Sequence, residues 1–229
     1  MHSKDWIAKV DYTLLEECEL KDIEQLCQRA IDLNVKSVCV YPKWVTICSE
    51  ILKDSAVLVC TVIDFPEGQN SIESKITESK IAISDGADEL DVVMNYKKLN
   101  QFEDLLVELK AWAQFCHQYK NKSGQEIVLK VIVESGLLSI EETEVATRIC
   151  IQSEVDFIKT STGKVAIGAE IEKVKVMRLE IEKAKSNLQI KASGGIRTLE
   201  QIELFYPFVN RFGMGCKTVD SLIKDSKDA

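Results

Sequence analysis

The sequence has few of the residues from which metal sites are usually built. Its 229 residues contain only two histidines, His2 and His117, and no two of its eight cysteines are spaced as C-x-x-C. Zinc sites mostly use such Cys and His spacings, so we expect no metal ion. Most of the cysteines lie in apolar runs, which is typical of small buried side chains in a reducing compartment.

Proline and long apolar stretches are also scarce. There are three prolines, and no stretch rich in Pro, Gly or Ser marks a linker, so residues 1–229 are interpreted as one domain. No apolar run approaches the ~20 residues of a membrane-spanning helix. The first residues lack the apolar segment of a secretory signal. We therefore expect a soluble, cytoplasmic protein that has no membrane partner.

Positive charge is in deficit. Lys and Arg number 29 against 37 Asp and Glu, which gives a formal net charge of −8. Because nucleic-acid-binding domains usually carry a basic face, this balance argues against a nucleic-acid partner. A small anionic ligand remains compatible with the sequence if lysines and backbone N–H groups surround it locally.

What the sequence does contain is a repeated unit, in which a short apolar run is followed by a helical stretch. The predicted strands are Val10–Leu14, Ser37–Tyr41, Val57–Ile63, Glu89–Asn95, Ile127–Val133, Asp156–Thr160, Leu188–Ala192 and Asn210–Gly213. The predicted helices are Leu20–Leu33, a helix opened by Pro42, Ser71–Ser84, Phe102–Lys120, Ile140–Gln152, Glu170–Lys185, Leu199–Phe205 and Thr218–Lys224. Alternating strands and helices indicate a parallel sheet, and eight such units indicate a closed TIM (β/α)8 barrel.

The alternative fold is an open, doubly wound sheet. Such sheets often carry G-x-G-x-x-G after the first strand, and that motif is absent at this position. The segment Gly213-Met214-Gly215 lies near the far end of the chain and lacks the third glycine. The closed barrel is therefore favoured.

In a TIM barrel the active site lies where the strands end and the following loops begin. Polar residues at these positions are Asp11, Thr13, Cys39, Asp91, Asn95, Lys130, Glu134, Lys159, Thr160, Lys191 and Ser193. We expect the catalytic and binding side chains to be among them.

Two lysines lie within apolar strand segments, Lys159 in the sixth predicted strand and Lys191 in the seventh. Neighbouring ammonium groups disfavour each other's charge, which lowers a lysine pKa, and a neutral amine is a nucleophile. The pattern therefore indicates a lysine that forms an imine with a carbonyl substrate. In the alternative interpretation, the lysine stems pack while their charged ends reach water at the rim.

Asp91 is the third candidate. The alternation of Asp88-Glu89-Leu90-Asp91 places Glu89 and Asp91 on one face of the strand. A carboxylate inside a barrel needs a cationic partner, which a strand lysine would supply. It could then relay protons through a water molecule, or it could form only a structural salt bridge.

Glycine-rich loops follow the last three predicted strands. They are Ser161–Lys164, Ser193–Arg197 and Gly213–Lys217. Glycines at these strand ends let backbone N–H groups approach an anion, and TIM barrels often bind phosphate there. Three such loops in succession predict a phosphate pocket.

These segments together resemble the deoxyribose-phosphate aldolase family. The most specific segments are Asp156-Phe157-Ile158-Lys159-Thr160-Ser161-Thr162-Gly163-Lys164 and Ile190-Lys191-Ala192-Ser193-Gly194-Gly195-Ile196-Arg197-Thr198. Supporting segments run from Val10–Leu15 to Arg211–Gly213. The similarity therefore covers most of the chain.

The resemblance implies a class I aldolase, a lyase of deoxyribonucleotide catabolism and carbohydrate degradation. It would reversibly cleave 2-deoxy-D-ribose 5-phosphate into D-glyceraldehyde 3-phosphate and acetaldehyde, without a cofactor. Lys159 would form the Schiff base, Lys191 would perturb it, and Asp91 would shuttle protons with a water molecule. The implied substrate-binding positions are Asp11, Thr13, Cys39, Gly163, Lys164, Gly194, Gly195, Gly213 and Gly215. A homodimer is the implied assembly.

The sequence departs from the family pattern at several positions. Gly215 and Cys216 stand where two serines usually contribute to the phosphate site, and residues 224–229 lack the tyrosine that ends many members. Tyr12 and Asp64 replace more usual residues. The departures keep two alternatives open, an aldolase for another sugar phosphate and a non-catalytic paralogue. Retention of both lysines and Asp91 argues against the paralogue.

Overall fold

Eight short parallel strands close into one barrel in the computed structural model, which describes residues 5–225. The strands are β1 (Val10–Leu14), β2 (Ser37–Val40), β3 (Leu58–Ile63), β4 (Glu89–Val93), β5 (Val128–Ile132), β6 (Phe157–Lys159), β7 (Gln189–Ser193) and β8 (Arg211–Gly215). Each strand pairs with the next, and β8 pairs with β1. The predicted TIM barrel is therefore confirmed.

One helix follows each strand and packs outside the barrel. The helices are α1 (Leu20–Leu33), α2 (Val45–Leu52), α3 (Ile72–Ser84), α4 (Phe102–Cys116), α5 (Ile140–Gln152), α6 (Ile171–Ala184), α7 (Leu199–Phe205) and α8 (Cys216–Asp225). Short 3-10 turns also occur, and one of them (Pro42–Trp44) precedes α2. The alternation of strand and helix was predicted along the whole described chain.

The predicted helix ends differ from the observed ones by more than one residue at three places. Helix α4 ends at Cys116 rather than Lys120, because Lys120 forms an antiparallel bridge with Glu126. Helix α8 begins at Cys216, directly after β8, rather than at Thr218. The helix after Pro42 is delayed, because Pro42–Trp44 is a 3-10 turn. Local contacts of this kind leave little trace in hydrophobic periodicity.

Helix starts follow recognisable capping sequences. Ser139 and Glu142 form a capping box at the start of α5, and Thr198 and Gln201 form another at α7. In such a box the side chain of each residue accepts a hydrogen bond from the other's backbone N–H. Helix α7 is thus fixed directly behind the glycine-rich loop that follows β7.

Asp64 and Tyr12, which replace more usual residues of the family, each have a local role in the structure. Asp64 adopts the left-handed backbone region, with φ of 50°, where glycine is most easily accommodated. Its carboxylate accepts hydrogen bonds from the backbone and side-chain N–H groups of Asn70, which fixes the turn after β3. Tyr12 points towards α8, and its hydroxyl donates to Asp220 at 2.8 Å.

The barrel has an apolar outside and a polar inside. The main apolar core lies between the strands and the helices, and six of the eight cysteines are buried. Inside the barrel, Cys39, Cys60 and Val62 form a small separate apolar group. Among residues 5–225, no helix is both long and apolar enough to cross a membrane.

Candidate active site

The register of the sheet brings the two candidate lysines to one level of the barrel. Lys159 is the last residue of β6, and its Cα pairs with that of Lys191 in β7. Neighbouring parallel strands lie ~5 Å apart, so both side chains project from the same layer. Lys159 is 3% exposed and Lys191 is fully buried. The alternative in which both ammonium groups reach water at the rim is therefore wrong.

Asp91 joins these lysines. Its Oδ2 atom lies 2.7 Å from Lys159 Nζ and 2.6 Å from Lys191 Nζ, and its Oδ1 atom accepts a hydrogen bond from Lys130 at 3.0 Å. The carboxylate thus contacts the Nζ atoms of three lysines at once. Burial opposes its charge, but the three lysines outweigh this effect and hold the pKa of Asp91 well below its usual range.

The lysine pair does not behave as like charges alone would predict. Burial disfavours the Lys191 ammonium, yet Asp11 and Asp91 outweigh burial and raise the pKa of Lys191. The expectation that the two lysines lower each other's pKa is therefore wrong for Lys191. Lys191 remains a cation beside Lys159.

The three residues belong to a larger set of buried charges, which we call the barrel charge cluster. Its members are Asp11, Glu89, Asp91, Lys130, Lys159, Lys191 and Arg211. Every member of this cluster is less than a tenth exposed. Because unpaired buried charges are costly, this mutual pairing is what permits seven charged groups inside the barrel.

Asp11 belongs to this cluster rather than to the pocket wall. It is fully buried, pairs with Lys191 and Arg211 at 2.5 Å each, and accepts a hydrogen bond from Ser37. Burial opposes its charge, but Arg211 and Lys191 hold the pKa of Asp11 below its usual range. Its expected role as a substrate-binding residue has no support in this geometry.

A pocket of about 340 Å³ opens at the carboxyl ends of β1, β6, β7 and β8. The candidate residues that line it are Thr13, Lys159, Gly163, Lys164, Gly194, Gly195, Gly213 and Gly215. The lining excludes Asp11, Cys39, Asp91 and Lys191, which lie in the barrel interior. Lys159 is the member of the barrel charge cluster that borders the pocket.

Glycines shape this pocket in two ways. Gly163, Gly194 and Gly195 have φ values of 77°, 81° and 77°, a region that L side chains rarely adopt. Gly213 instead leaves space, because a Cβ atom there would lie 3.0 Å from Lys191 Cε and 2.9 Å from Ser193 Cβ. Its missing side chain therefore accommodates the stem of Lys191.

Glu134 fixes the loop after β6. It accepts a hydrogen bond from the backbone N–H of Thr162 at 3.2 Å and another from the Thr162 hydroxyl. The Thr162 hydroxyl in turn accepts from the N–H of Lys164. Burial raises the pKa of Glu134, and its hydrogen bonds with Thr162 oppose that rise. This contact explains how Gly163 and Lys164 are presented to the pocket.

Besides Lys159, three basic side chains line the pocket: Lys164, Arg197 and Lys217. Arg197 and Lys217 were not among the candidate site residues. Each is the last residue of a predicted glycine-rich loop, so that position could have indicated them. Lys164 donates to the backbone carbonyl of Leu15 at 2.6 Å. The pocket is therefore basic, although the chain as a whole is acidic.

Cys216 lines the same pocket at the start of α8, next to Gly215. The hydroxyl groups expected there are replaced by a thiol and by no side chain at all. The first backbone N–H groups of a helix are free to bind an anion. Backbone groups can therefore serve where the serines are missing.

Cys39 lies inside the barrel. It packs with Cys60 and Val62 and is 1% exposed. Cys39, Cys60 and Asp91 are close enough together to be considered as metal ligands, as are Asp11, Cys60 and Glu89. However, Lys130 Nζ lies 3.3 Å from Cys60 Sγ, and the carboxylates are paired with lysines and Arg211. A metal ion would have to displace these cations.

A closed barrel with a lysine at the base of a basic pocket defines an α/β-barrel enzyme whose site lies at the carboxyl ends of its strands. The model of the DeoC/LacD family aldolases matches residues 6–209. The chain therefore belongs to this aldolase family and is a lyase.

Individual relatives agree with this assignment. The deoxyribose-phosphate aldolase of Mycoplasmoides pirum is 45% identical over 195 residues, which cover 84% of this chain and 85% of that protein. A solved structure of a putative deoxyribose-phosphate aldolase from Coccidioides immitis superposes with a TM-score of 0.88 at 30% identity, covering 96% of this chain and 85% of that one.

A second solved structure shares the fold. The deoxyribose phosphate aldolase of Aeropyrum pernix, described as a unique tetramer, has a TM-score of 0.84 at 24% identity. It covers 99% of this chain and 93% of the other.

Proposed function

We propose that this protein reversibly cleaves 2-deoxy-D-ribose 5-phosphate into D-glyceraldehyde 3-phosphate and acetaldehyde through a Schiff base on Lys159. The observation that carries the proposal is the position of Lys159. Its amine borders the pocket and lies 2.7 Å from Asp91. The names of the relatives supply the substrate class.

The reaction begins when the neutral Lys159 amine attacks the C1 aldehyde of the open-chain sugar. The carbinolamine loses water and becomes an iminium ion, which withdraws electrons from the neighbouring carbon. Removal of the C3 hydroxyl proton then breaks the C2–C3 bond and releases D-glyceraldehyde 3-phosphate. The resulting enamine takes a proton at C2, and hydrolysis of the iminium releases acetaldehyde and restores the amine.

Asp91 and Lys191 supply the proton transfers in this scheme. Asp91 receives or returns protons through a water molecule next to the carbinolamine and the enamine. The Lys191 ammonium, 2.6 Å from the same carboxylate, keeps Asp91 ionised between transfers. No metal or organic cofactor is needed in these steps.

We assign the phosphate to the part of the pocket that the glycine-rich loops line. Gly163, Gly194 and Gly195 expose backbone N–H groups, and Lys164 adds a positive charge. The start of α8 at Cys216 is a further place for an anion. The expectation of a phosphosugar substrate follows from these groups.

Trapping of the imine tests the mechanism directly. Acetaldehyde and borohydride should leave one ethylated lysine, and peptide mapping should find it at Lys159. Lys159→Ala should abolish both trapping and turnover. Lys164→Ala is the matched control, because it removes another lysine that lines the pocket but leaves the amine of Lys159. An adduct on another residue, or none in the parent protein, would contradict the assignment.

The absence of the two serines favours a second candidate, an aldolase for a different or unphosphorylated sugar. Charge-assisted hydrogen bonds contribute about 1.5–3 kcal/mol each, so their loss could reduce discrimination for phosphate. Rates with deoxyribose 5-phosphate, deoxyribose and other phosphosugars separate the two candidates. A greater kcat/KM for another sugar would favour the second.

We propose that the activity does not depend on a metal ion. We expect that chelators leave activity unchanged, and a clear loss with EDTA would instead indicate a metal-dependent aldolase.

We propose a homodimer, and light scattering would distinguish it from a tetramer such as that described for Aeropyrum pernix. We also propose that residues 1–229 form one domain. Residues 1–4 and 226–229 lie outside the part of the chain that the structure describes.

A further inference from the structure

The barrel charge cluster extends from the pocket to the other end of the barrel. Glu89 is the first residue of β4 and Arg211 is the first residue of β8, so both lie at the amino-terminal ends of their strands. Both also border a separate cavity at that end. The reaction proposed above uses neither side chain.

Continuous ion pairs connect these two residues to the reactive amine. Arg211 lies 3.0 Å from Glu89, and Glu89 lies 2.7 Å from Lys130. Lys130 in turn lies 3.0 Å from Asp91, the carboxylate that contacts Lys159. A second route from Arg211 passes through Asp11 to Lys191, with distances of 2.5 Å at each step.

The barrel charge cluster contains more basic groups than carboxylates. Three carboxylates face four basic groups, which are Lys130, Lys159, Lys191 and Arg211. If three of the bases are cations, the cluster is neutral and every buried carboxylate has a partner. The fourth base can then be uncharged without leaving an unpaired buried charge, which would be costly.

Contacts indicate which base is the fourth. Lys130 pairs with three carboxylates and Lys191 with two, whereas Lys159 pairs with Asp91 alone among the described residues. Burial opposes the charges of Lys130 and Lys191, but the carboxylates outweigh it and raise the pKa of both. Arginine stays protonated in proteins. Lys159 is left as the base with the fewest anionic contacts.

We propose that Glu89 and Arg211 are positioning residues of opposite sign, which set the net charge of the cluster and thereby the protonation of Lys159. This inference rests on the proposed imine function. Removing the Arg211 charge leaves three carboxylates for the three lysines, which favours the Lys159 ammonium. Removing the Glu89 charge leaves two carboxylates for four bases, which favours the neutral amine.

The substitutions of Glu89 and Arg211 leave unchanged the other charged or titratable groups that lie near Lys159 and Arg211. Lys159 is also faced by Glu134 from the loop after β5 and by Cys39 from β2. Glu134 makes hydrogen bonds to Thr162 and no ion pair among the described residues. At the far end, Lys9 and Lys36 border the cavity next to Arg211. Cys60 of β3 contacts Asp91 and Lys130.

The experiment measures the rate of reductive trapping with acetaldehyde and cyanoborohydride across pH, with mapping of the adduct. Acetaldehyde has no titratable group near neutral pH, so the acidic limb reports the enzyme. Arg211→Gln should move the limb upward by about one pH unit, the scale of shift that one charge produces. Glu89→Gln should move it downward, and the double variant should return it towards the parent position.

Lys75→Met is the matched control for loss of a buried ion pair. Lys75 is fully buried and pairs with Glu108 at 2.7 Å outside the barrel interior, so its loss should lower stability without moving the limb. Shifts of the same sign for Glu89→Gln and Arg211→Gln, no shift in either, or no return in the double variant would overturn the inference. Absence of any Lys159 adduct in the parent would instead overturn the proposed function.

Discussion

At the scale of single residues, the proposed chemistry requires the surroundings of Lys159 as well as the lysine itself. An isolated lysine amine is protonated at neutral pH and is a poor nucleophile. Here it lies beside the cation Lys191 and the carboxylate Asp91, within hydrogen-bonding distance of the latter. Small changes that move these neighbours should therefore reduce the rate without removing the lysine itself.

Gly213→Ala is such a change. The added Cβ would lie 3.0 Å from Lys191 Cε, and relief of this contact would move the Lys191 ammonium away from Asp91. Displacements of this kind cost about 100-fold in rate. We expect kcat to fall by about tenfold to 100-fold, as measured by steady-state kinetics.

Gly215→Ala provides the comparison for that experiment. Gly215 lines the same pocket, but its added Cβ would make only an ordinary contact, 3.9 Å from Thr218. Its effect on kcat should be much smaller than that of Gly213→Ala. Equal losses in the two variants would mean that crowding of the pocket, rather than displacement of Lys191, limits the reaction.

At the scale of elements, the loops after β6 and β7 form the pocket by packing backbone against backbone. Gly168, between β6 and α6, lies against Gly194, and the N–H of Ala169 donates to the Gly194 carbonyl at 3.0 Å. The close approach is possible only because Gly168 lacks a side chain. The position of the loop that contains Gly194 therefore depends on Gly168, which does not line the pocket.

Gly168→Ala should displace the loop that contains Gly194. The added Cβ would lie 2.2 Å from the Gly194 carbonyl oxygen, which is far inside contact distance. We expect KM for deoxyribose 5-phosphate to rise about tenfold, the scale of one weakened charge-assisted hydrogen bond. KM for unphosphorylated deoxyribose should change much less.

Gly136→Ala tests whether any disturbance of this region has the same effect. A Cβ atom at Gly136 would lie 2.2 Å from the carbonyl oxygen of Ile167. Ile167 lies in the same loop as Gly168, but the atoms nearest to this Cβ do not include any of Gly194. We expect loss of stability without a selective effect on the phosphorylated substrate. A selective rise in KM for this variant as well would refute the inference that Gly168→Ala acts through the loop that contains Gly194.

At the scale of the whole molecule, the barrel charge cluster couples stability to pH. The carboxyl pKa values of Asp11, Glu89 and Asp91 are lower in the folded protein than the ordinary values of 3.8 and 4.5, because the surrounding lysines and Arg211 outweigh burial. The folded state therefore binds fewer protons than the unfolded state as the pH falls through this range. These groups stabilise the fold above about pH 5, and that contribution is lost in acid.

We expect the free energy of unfolding, measured with urea, to fall as the pH decreases below about 4.5. Glu78, Asp88 and Glu134 act with the opposite sign because burial raises their pKa, but these shifts are smaller than the lowering of the pKa of Asp11 and Asp91. Glu89→Gln should show a smaller decline over this range than the parent protein. A constant free energy of unfolding between pH 7 and pH 3 would refute the linkage.

Much of the architecture could be predicted because it depends on local patterns. Apolar runs, helical periodicity and capping residues act over a few positions, so strand and helix order followed from the chain itself. The positions of Lys159, Lys191 and the glycine-rich loops at strand ends also followed, since the carboxyl ends of the strands meet at one side of a barrel. The sequence alone thus located the pocket.

Only the tertiary structure decided which charges contact one another. Arg211 and Asp11 are 200 positions apart, and they meet because β8 pairs with β1. Barrel closure and register determine which inward side chains share a layer, and alternation along a single strand cannot reveal this. Asp11 therefore proved to be a cluster residue, and Lys191 a stabilised cation. The contact of Lys159 with Asp91, and through Asp91 with the rest of the barrel charge cluster, exists only in the folded barrel.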